Sequence, residues 1–165
     1  MSGDILFEVA EKVATITLNR PERRNAFTLA MIDEWVGCLE ECRARADIHT
    51  VLITGAGKAF CSGGDIDELM KQGQARTPQE RKDELVGHVH SIPLTLDRMD
   101  KPVIVAINGA ATGAGLDLAL MCDLRYAASS ARFAETYVKM ALMPGAGGAF
   151  VLPRIVGRAR ALEML

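Results

Sequence analysis

Residues 101–122 read KPVIVAINGAATGAGLDLALMC. The start of this stretch is apolar and rich in β-branched side chains, which predicts a short buried strand over 101–109 that Gly109 stops. Small residues and two further glycines then lead into LDLALMC, a buried helix. The same order occurs upstream. HTVLITGAG (49–57) is a short buried strand ending in glycines, and KAFCSGGDIDELM (58–70) is a loop entering a helix, with Asp65 placed to cap it. Before these, ILFEV (5–9) and KVATITL (12–18) read as a hairpin. Leu29, Ile32, Trp35, Val36, Leu39 and Cys42 recur at helical spacing, so residues 28–46 form an amphipathic helix. Residues 78–100 read as helical, with a kink or break at Pro93. Downstream, DLRYAAS (123–129) and RFAET (132–136) are short strands or extended turns. MPGAGGAFVLPRIV (143–156) is a glycine-rich loop and a helix that Pro153 should bend or interrupt, and GRARALEML opens a last helix. Strands alternate with helices at the spacing of βαβ units, so the expected fold is α/β with crossover helices.

Composition narrows the function classes. The chain has 165 residues, which predicts one domain, and 49% are hydrophobic against 24% charged, as in soluble globular proteins. The net charge is −2 and no basic patch of the nucleic-acid-binding kind is present. Cys38, Cys42, Cys61 and Cys122 form no C-x-x-C pair, and the three histidines stand at 49, 88 and 90, so no metal site is expected. The cysteines read as small buried thiols in a reducing compartment. The N-terminus carries acids where a signal peptide needs basic residues, and no run approaches ~18 apolar residues. The expected compartment is the cytoplasm, with no membrane partner. The chain stops inside a helical pattern, with Leu162, Met164 and Leu165 apolar. The expectation is a truncated chain, or a fold that another chain completes.

Glycines cluster at 55–57, 63–64, 113–115 and 145–148. None fits G-x-G-x-x-G after a strand, and none fits the nucleotide P-loop. Two clusters, Ser62-Gly63-Gly64-Asp65 and Gly113-Ala114-Gly115, each stand between a predicted strand and a helix. Helix N-termini carry unpaired N–H groups and partial positive charge. Two such amides aimed at one point stabilise an oxyanion.

KAFCSGGDIDEL (58–69) and INGAATGAGLDLALMCDLRYA (107–127) resemble the two signature segments of the crotonase (enoyl-CoA hydratase/isomerase) superfamily. Residues 132–165 resemble the segment that follows them, and NRPERRNAF (19–27) is similar to the loop in which that family holds the nucleotide end of coenzyme A. The likeness runs from about residue 5 to the end. It implies a ββα spiral core, an acyl-CoA thioester substrate with no separate cofactor, and a homo-oligomer, a trimer or a dimer of trimers. Members usually carry further C-terminal helices that this sequence lacks.

The resemblance places the oxyanion amides on Ser62 and Ala114. It places coenzyme A contacts on Arg23, Arg24 and Ala26, with Gly63, Gly64, Asp65 and Ile66 beside the thioester and pantetheine. The two glutamates of hydratases fall on Asp117 and Tyr137. Asp117 lies three residues after Ala114, on the same helical face as that amide. Aspartate is one methylene shorter than glutamate, and tyrosine is a far weaker acid, with a reference pKa near 10. Both changes leave hydratase chemistry open beside isomerase chemistry or binding alone. Glu135 is a substitute carboxylate if its segment is extended, on the side of Tyr137, and points elsewhere if the segment is helical. Asp123 reads as structural, Cys61 as packing because no base accompanies it, His88 and His90 as lying on different helix faces, and Lys101 and Lys139 as surface charges.

Overall fold

The computed structural model describes residues 2–73 and 77–165. Strand β1 (Ile5–Ala10) pairs antiparallel with β2 (Val13–Leu18), the expected hairpin. Strands β3 (Thr50–Gly55), β5 (Val103–Ile107) and β7 (Leu124–Ala127) extend the sheet in parallel, in the order β1-β2-β3-β5-β7. A smaller parallel sheet holds β4 (Ala59–Cys61), β6 (Ala110–Thr112) and β8 (Phe133–Ala134). From β3 onward each turn of the chain gives one strand to the large sheet and the next to the small one, which is the ββα spiral. The large sheet and the expected α/β class follow the sequence. The small sheet does not: its strands have two or three residues, too short to show a period of two.

Helix α1 (Leu29–Ala44) lies within the expected 28–46, with Thr28 Oγ1 accepting the Met31 N–H at 3.2 Å as its cap. It buries Met31, Ile32, Trp35, Leu39 and Cys42 against the sheet, and all four cysteines are free and buried. Lys101 is not a solvated surface charge. Its Nζ donates to the Arg43 and Arg45 carbonyls at 3.3 and 2.6 Å, and cations are favoured at a helix C-terminus. The predicted helical stretch 78–100 is three pieces: α3 (Pro78–Glu84), a π turn at Leu85–Val89, and α4 (Ser91–Asp97). The helix is interrupted by the π turn and His90, in the turn just before Pro93 and close to the expected kink or break, and Pro93 itself sits in the first turn of α4.

Helix α2 (Ile66–Gly73) follows β4, and α5 (Ala114–Leu120) follows β6. Helix α6 (Gly148–Val156) continues through Pro153 and stops three residues later, and α7 (Arg158–Met164) follows. Leu162 is exposed, as the apolar ending predicted, but Met164 packs on the core beside buried Ala161. Asp123 is structural: its Oδ2 accepts the Val103 N–H at 2.8 Å and ties the start of β5 to β7. Among the described residues no helix is long and apolar enough to cross a membrane.

Candidate active site

The two glycine clusters meet. The first follows β4, where a bridge to Phe27 orients it. Phe27 donates its N–H to Gly63 O and accepts from Asp65 N, both at 2.9 Å. In a parallel bridge the residue between those two turns its own N–H away from the partner. The Gly64 N–H thus faces away from Phe27 and has no partner among the described residues. Asp65 caps α2, its Oδ1 accepting Asp67 N at 3.0 Å.

In the second cluster Gly113 takes φ +53, a conformation other residues rarely adopt, and opens α5. Ala114 is the first residue of that helix, and its N–H also lacks a partner among the described residues. Its φ is not positive, so alanine stands there without strain. A β-carbon on Gly63 would lie 3.4 Å from Ala114 N, and one on Gly115 only 2.5 Å from Cys61 O. The glycines let the two loops touch.

Ser62 is a correction. Its N–H donates to Arg24 O at 3.1 Å, which anchors the arginine loop and removes this amide as an oxyanion donor. Gly64, two residues on, offers the free amide. Both Gly64 and Ala114 line a cavity of about 260 Å³ with a largely apolar wall, including Phe27, Leu69, Val89 and Met140. Tyr137 and Ala146 complete that wall.

Behind them lies Asp117, fully buried on α5. Its Oδ2 accepts the Tyr137 hydroxyl at 2.6 Å and the Ala146 N–H at 3.2 Å. The tyrosine ring sits close to Gly113, one residue from the Ala114 amide. Asp117 and Tyr137 thus come together as predicted, but in depth: tyrosine at the cavity, aspartate behind it. Glu135 joins them. Its backbone is extended (φ −86, ψ 89), its N–H is held by Met164 O at 2.8 Å, and its side chain is buried.

Burial raises the Asp117 pKa, and bonds from Tyr137 and backbone amides oppose the rise. Burial and the Asp117 charge push Glu135 up to about 8. Burial, with Asp117 next, also holds Tyr137 above its ordinary range, so it serves as a hydrogen-bonding phenol and not as a phenolate. Cys61 is enclosed, with its thiol pushed up to about 12 by burial, so it packs and does not attack.

The arginine loop is tied down by residues the sequence reading left without a role. Buried Asn25 accepts Arg20 N at 2.9 Å and donates to Ala56 O, Ala59 O and Phe60 O at 2.9–3.0 Å. Arg20 Nη1 reaches Asp65 Oδ2 at 3.0 Å and the Ala26 carbonyl. Burial works against the Asp65 anion, but Arg20, Arg23 and its capping amides outweigh it and hold its pKa low. Asp65 and Ala26 thus help to hold the arginine loop in place. Arg23 pairs with Asp65 at 3.3 Å and with Asp67. Arg24 makes no ion pair among the described residues, and Ile66 is exposed at the cavity mouth. His88 faces Asp33 at 3.5 Å while His90 Nε2 meets Gly145 O at 2.7 Å, so the two do not converge.

Paired strands wound in a spiral, with two glycine loops whose amides without a partner among the described residues line one apolar cavity, define the fold and the site, and known proteins share this fold. The enoyl-CoA hydratase/isomerase family model matches residues 8–165. The chain belongs to that family, within the crotonase superfamily. It is 39% identical over 160 residues to 1,2-epoxyphenylacetyl-CoA isomerase of Escherichia coli, covering 97% of this chain and 61% of that protein. It is 35% identical over 164 residues to the short-chain-enoyl-CoA hydratase of Clostridium acetobutylicum, covering 99% and 61%. The crystal structure of enoyl-CoA hydratase from Bacillus anthracis superposes with a TM-score of 0.85 at 36% identity, over 98% of this chain and 61% of that one. The chain thus spans about three fifths of these relatives.

Proposed function

We propose that this chain binds an acyl-CoA thioester in the cavity and moves a proton at the acyl carbons, in the manner of a hydratase or isomerase. The thioester oxygen accepts hydrogen bonds from the N–H groups of Gly64 and Ala114, which lower the cost of an enolate. Asp117 is the base and acts through Tyr137. A proton leaves an acyl carbon for the tyrosine oxygen as the hydroxyl proton passes to Asp117 Oδ2. The electron pair left on carbon moves to the thioester oxygen. Tyrosine stays neutral throughout, as its raised pKa requires. The reverse step at another carbon gives an isomer, and hydration needs a water in addition. The nucleotide end of coenzyme A lies along the arginine loop, where Arg24, without an ion pair among the described residues, meets a phosphate and Arg23 stands beside it, with Gly63 and Ile66 near the pantetheine.

One observation carries this reading: two amides without a partner among the described residues and a tyrosine bonded to a buried carboxylate line the same apolar cavity. A mass-spectrometric screen against saturated and unsaturated acyl-CoAs tests it. The expected result is binding by wild type, with turnover reduced ~10²–10⁴-fold in Asp117→Asn and in Tyr137→Phe. No binding of any acyl-CoA refutes it. A second reading is binding without turnover, favoured by the complete burial of Asp117 behind the cavity wall. It predicts complexes whose acyl mass never changes.

The functional unit in this proposal is a homo-oligomer, threefold as the family resemblance implies. Edge strand β7 exposes Leu124 and Tyr126, and such apolar surface favours self-association. Analytical ultracentrifugation decides, and a monodisperse monomer contradicts it.

A further inference from the structure

Glu135 has no part in the proton path just described, yet it is 2% exposed beside the base. Its position is set by three elements. Strand β8 ends at Ala134, Met164 O at the end of α7 holds the Glu135 N–H, and Gly148 at the start of α6 leaves room for the side chain. A β-carbon on Gly148 would lie 1.8 Å from Asp117 Oδ1 and 2.8 Å from Glu135 Oε1. The two carboxyl oxygens are therefore no more than about 4.6 Å apart, the sum of those distances, within the range where like charges oppose each other's ionisation.

The hydrogen-bond inventory of the pair is lopsided. Asp117 Oδ2 has two donors. Asp117 Oδ1 and both Glu135 oxygens have no hydrogen-bond partner of good geometry among the described residues, although the nearby Gly148 amide also favours the Asp117 anion. Two buried carboxylates in this state would leave three acceptor atoms bare, and each bare polar group costs about 1–3 kcal/mol. A single proton between Glu135 and Asp117 Oδ1 satisfies both sides of the contact and halves the charge. The proton belongs on Glu135, because Asp117 has the tyrosine hydroxyl and backbone amides to stabilise its anion and Glu135 has none.

We infer that Glu135 is a positioning residue for Asp117: a neutral carboxylic acid whose hydroxyl donates to Asp117 Oδ1, so that the pair holds one proton and one negative charge. This rests on the reading of Asp117 as base. The bond occupies Oδ1 and leaves Oδ2 as the oxygen that receives the tyrosine proton. When Asp117 accepts that proton the pair becomes neutral, and it returns to one charge when the proton goes back to substrate. The titratable group that acts on Glu135 is Asp117 on α5, and Glu135 in turn raises the pKa of Tyr137 in the following turn. The charged residues of α6 and α7, Arg154, Arg158, Arg160 and Glu163, do not contribute to the Glu135 shift. Ionisation of Glu135 removes the donor and sets two like charges side by side, so activity falls as pH rises through about 8.

The experiment pairs infrared difference spectroscopy with a pH–rate profile. The wild-type protein, without substrate, should show a protonated-carboxyl stretch at neutral pH that is lost between about pH 6 and about pH 10. Isotopic labelling of glutamate carboxyls should shift that band. Glu135→Gln should lack it, keep its amide as a donor to Asp117, and lose the alkaline fall in kcat/KM while retaining turnover within about tenfold. Glu135→Ala, with no donor, should lose roughly 10²-fold. A wild-type protein with no such band at neutral pH overturns the inference, as does a band that glutamate labelling leaves in place. A Glu135→Gln enzyme that keeps the alkaline fall also overturns it. Full turnover in Asp117→Asn would sink the assignment of the base instead, whatever the spectrum shows.

Discussion

Gly148→Ala adds one methyl group at the point where the two acids meet. Gly148 has no positive φ, so the backbone accepts alanine without strain. In a helix the exchange normally stabilises by up to ~1 kcal/mol. The added β-carbon would instead stand 1.8 Å from Asp117 Oδ1, where ordinary contact begins at 3.4 Å. Relief requires a displacement of about 1.6 Å, and a 1 Å misplacement of a reacting group costs ~10²-fold in rate. Overpacking costs about 1–3 kcal/mol, which exceeds the helix gain. A chain of this size loses roughly 2–4 °C of Tm per kcal/mol, so a net cost of about 1–2 kcal/mol after the helix gain should lower Tm by about 2–8 °C. Steady-state kinetics at neutral pH should show kcat down by 10² or more with KM for the acyl-CoA nearly unchanged, because the cavity wall itself is not altered. Turnover within threefold of wild type with an unchanged or higher Tm would refute the packing of Asp117 and Glu135 against this glycine.

Two other outcomes follow from the same geometry. Glu135 binds its proton more tightly folded than unfolded, so it supports the fold fully below about pH 4.5 and loses that support as pH rises to about 8. Burial raises Asp117 in the same direction. Thermal melts should therefore show Tm falling across that window and levelling above it, and Glu135→Gln should flatten the slope; an equal slope in the variant argues against a shifted Glu135. Asn25→Ala leaves several buried carbonyls without their donor and should destabilise by about 2–4 kcal/mol in urea unfolding. A loss under about 0.5 kcal/mol would mean that the arginine loop is held by Arg20 and Asp65 alone.

The large sheet, α1 and the closeness of Asp117 to Ala114 were legible because each rests on local pattern: apolar, β-branched runs, a 3.6-residue face and one helix turn; the Asp117–Tyr137 pairing, 20 residues apart, came from the family resemblance. What escaped the sequence depends on long-range contacts. Which amide of residues 62–65 is free is decided by a bridge from Gly64 to Phe27, and by Arg24 O taking the Ser62 N–H. No local signal carries that choice. Whether Glu135 faces Asp117 turned on a backbone conformation that Met164 O, from the last helix, fixes. Lys101 looked solvated until the end of α1 supplied its acceptors. Asn25 stood in a quoted motif, and its side chain became informative only when three carbonyls from residues 56–60 closed around it.

The central claim is that backbone N–H groups at the head of α5 and in the β4 loop hold a thioester oxygen. Ala114 is the first residue of its helix, the position where proline fits best, so Ala114→Pro deletes the N–H at little structural cost. Ala114→Gly keeps the N–H and is the control. Single-turnover kinetics on whichever acyl-CoA the wild type converts is the measurement. The account predicts a folded proline variant slowed by about 10²–10³-fold and a glycine variant close to wild type. A folded proline variant that turns over at the wild-type rate would contradict it.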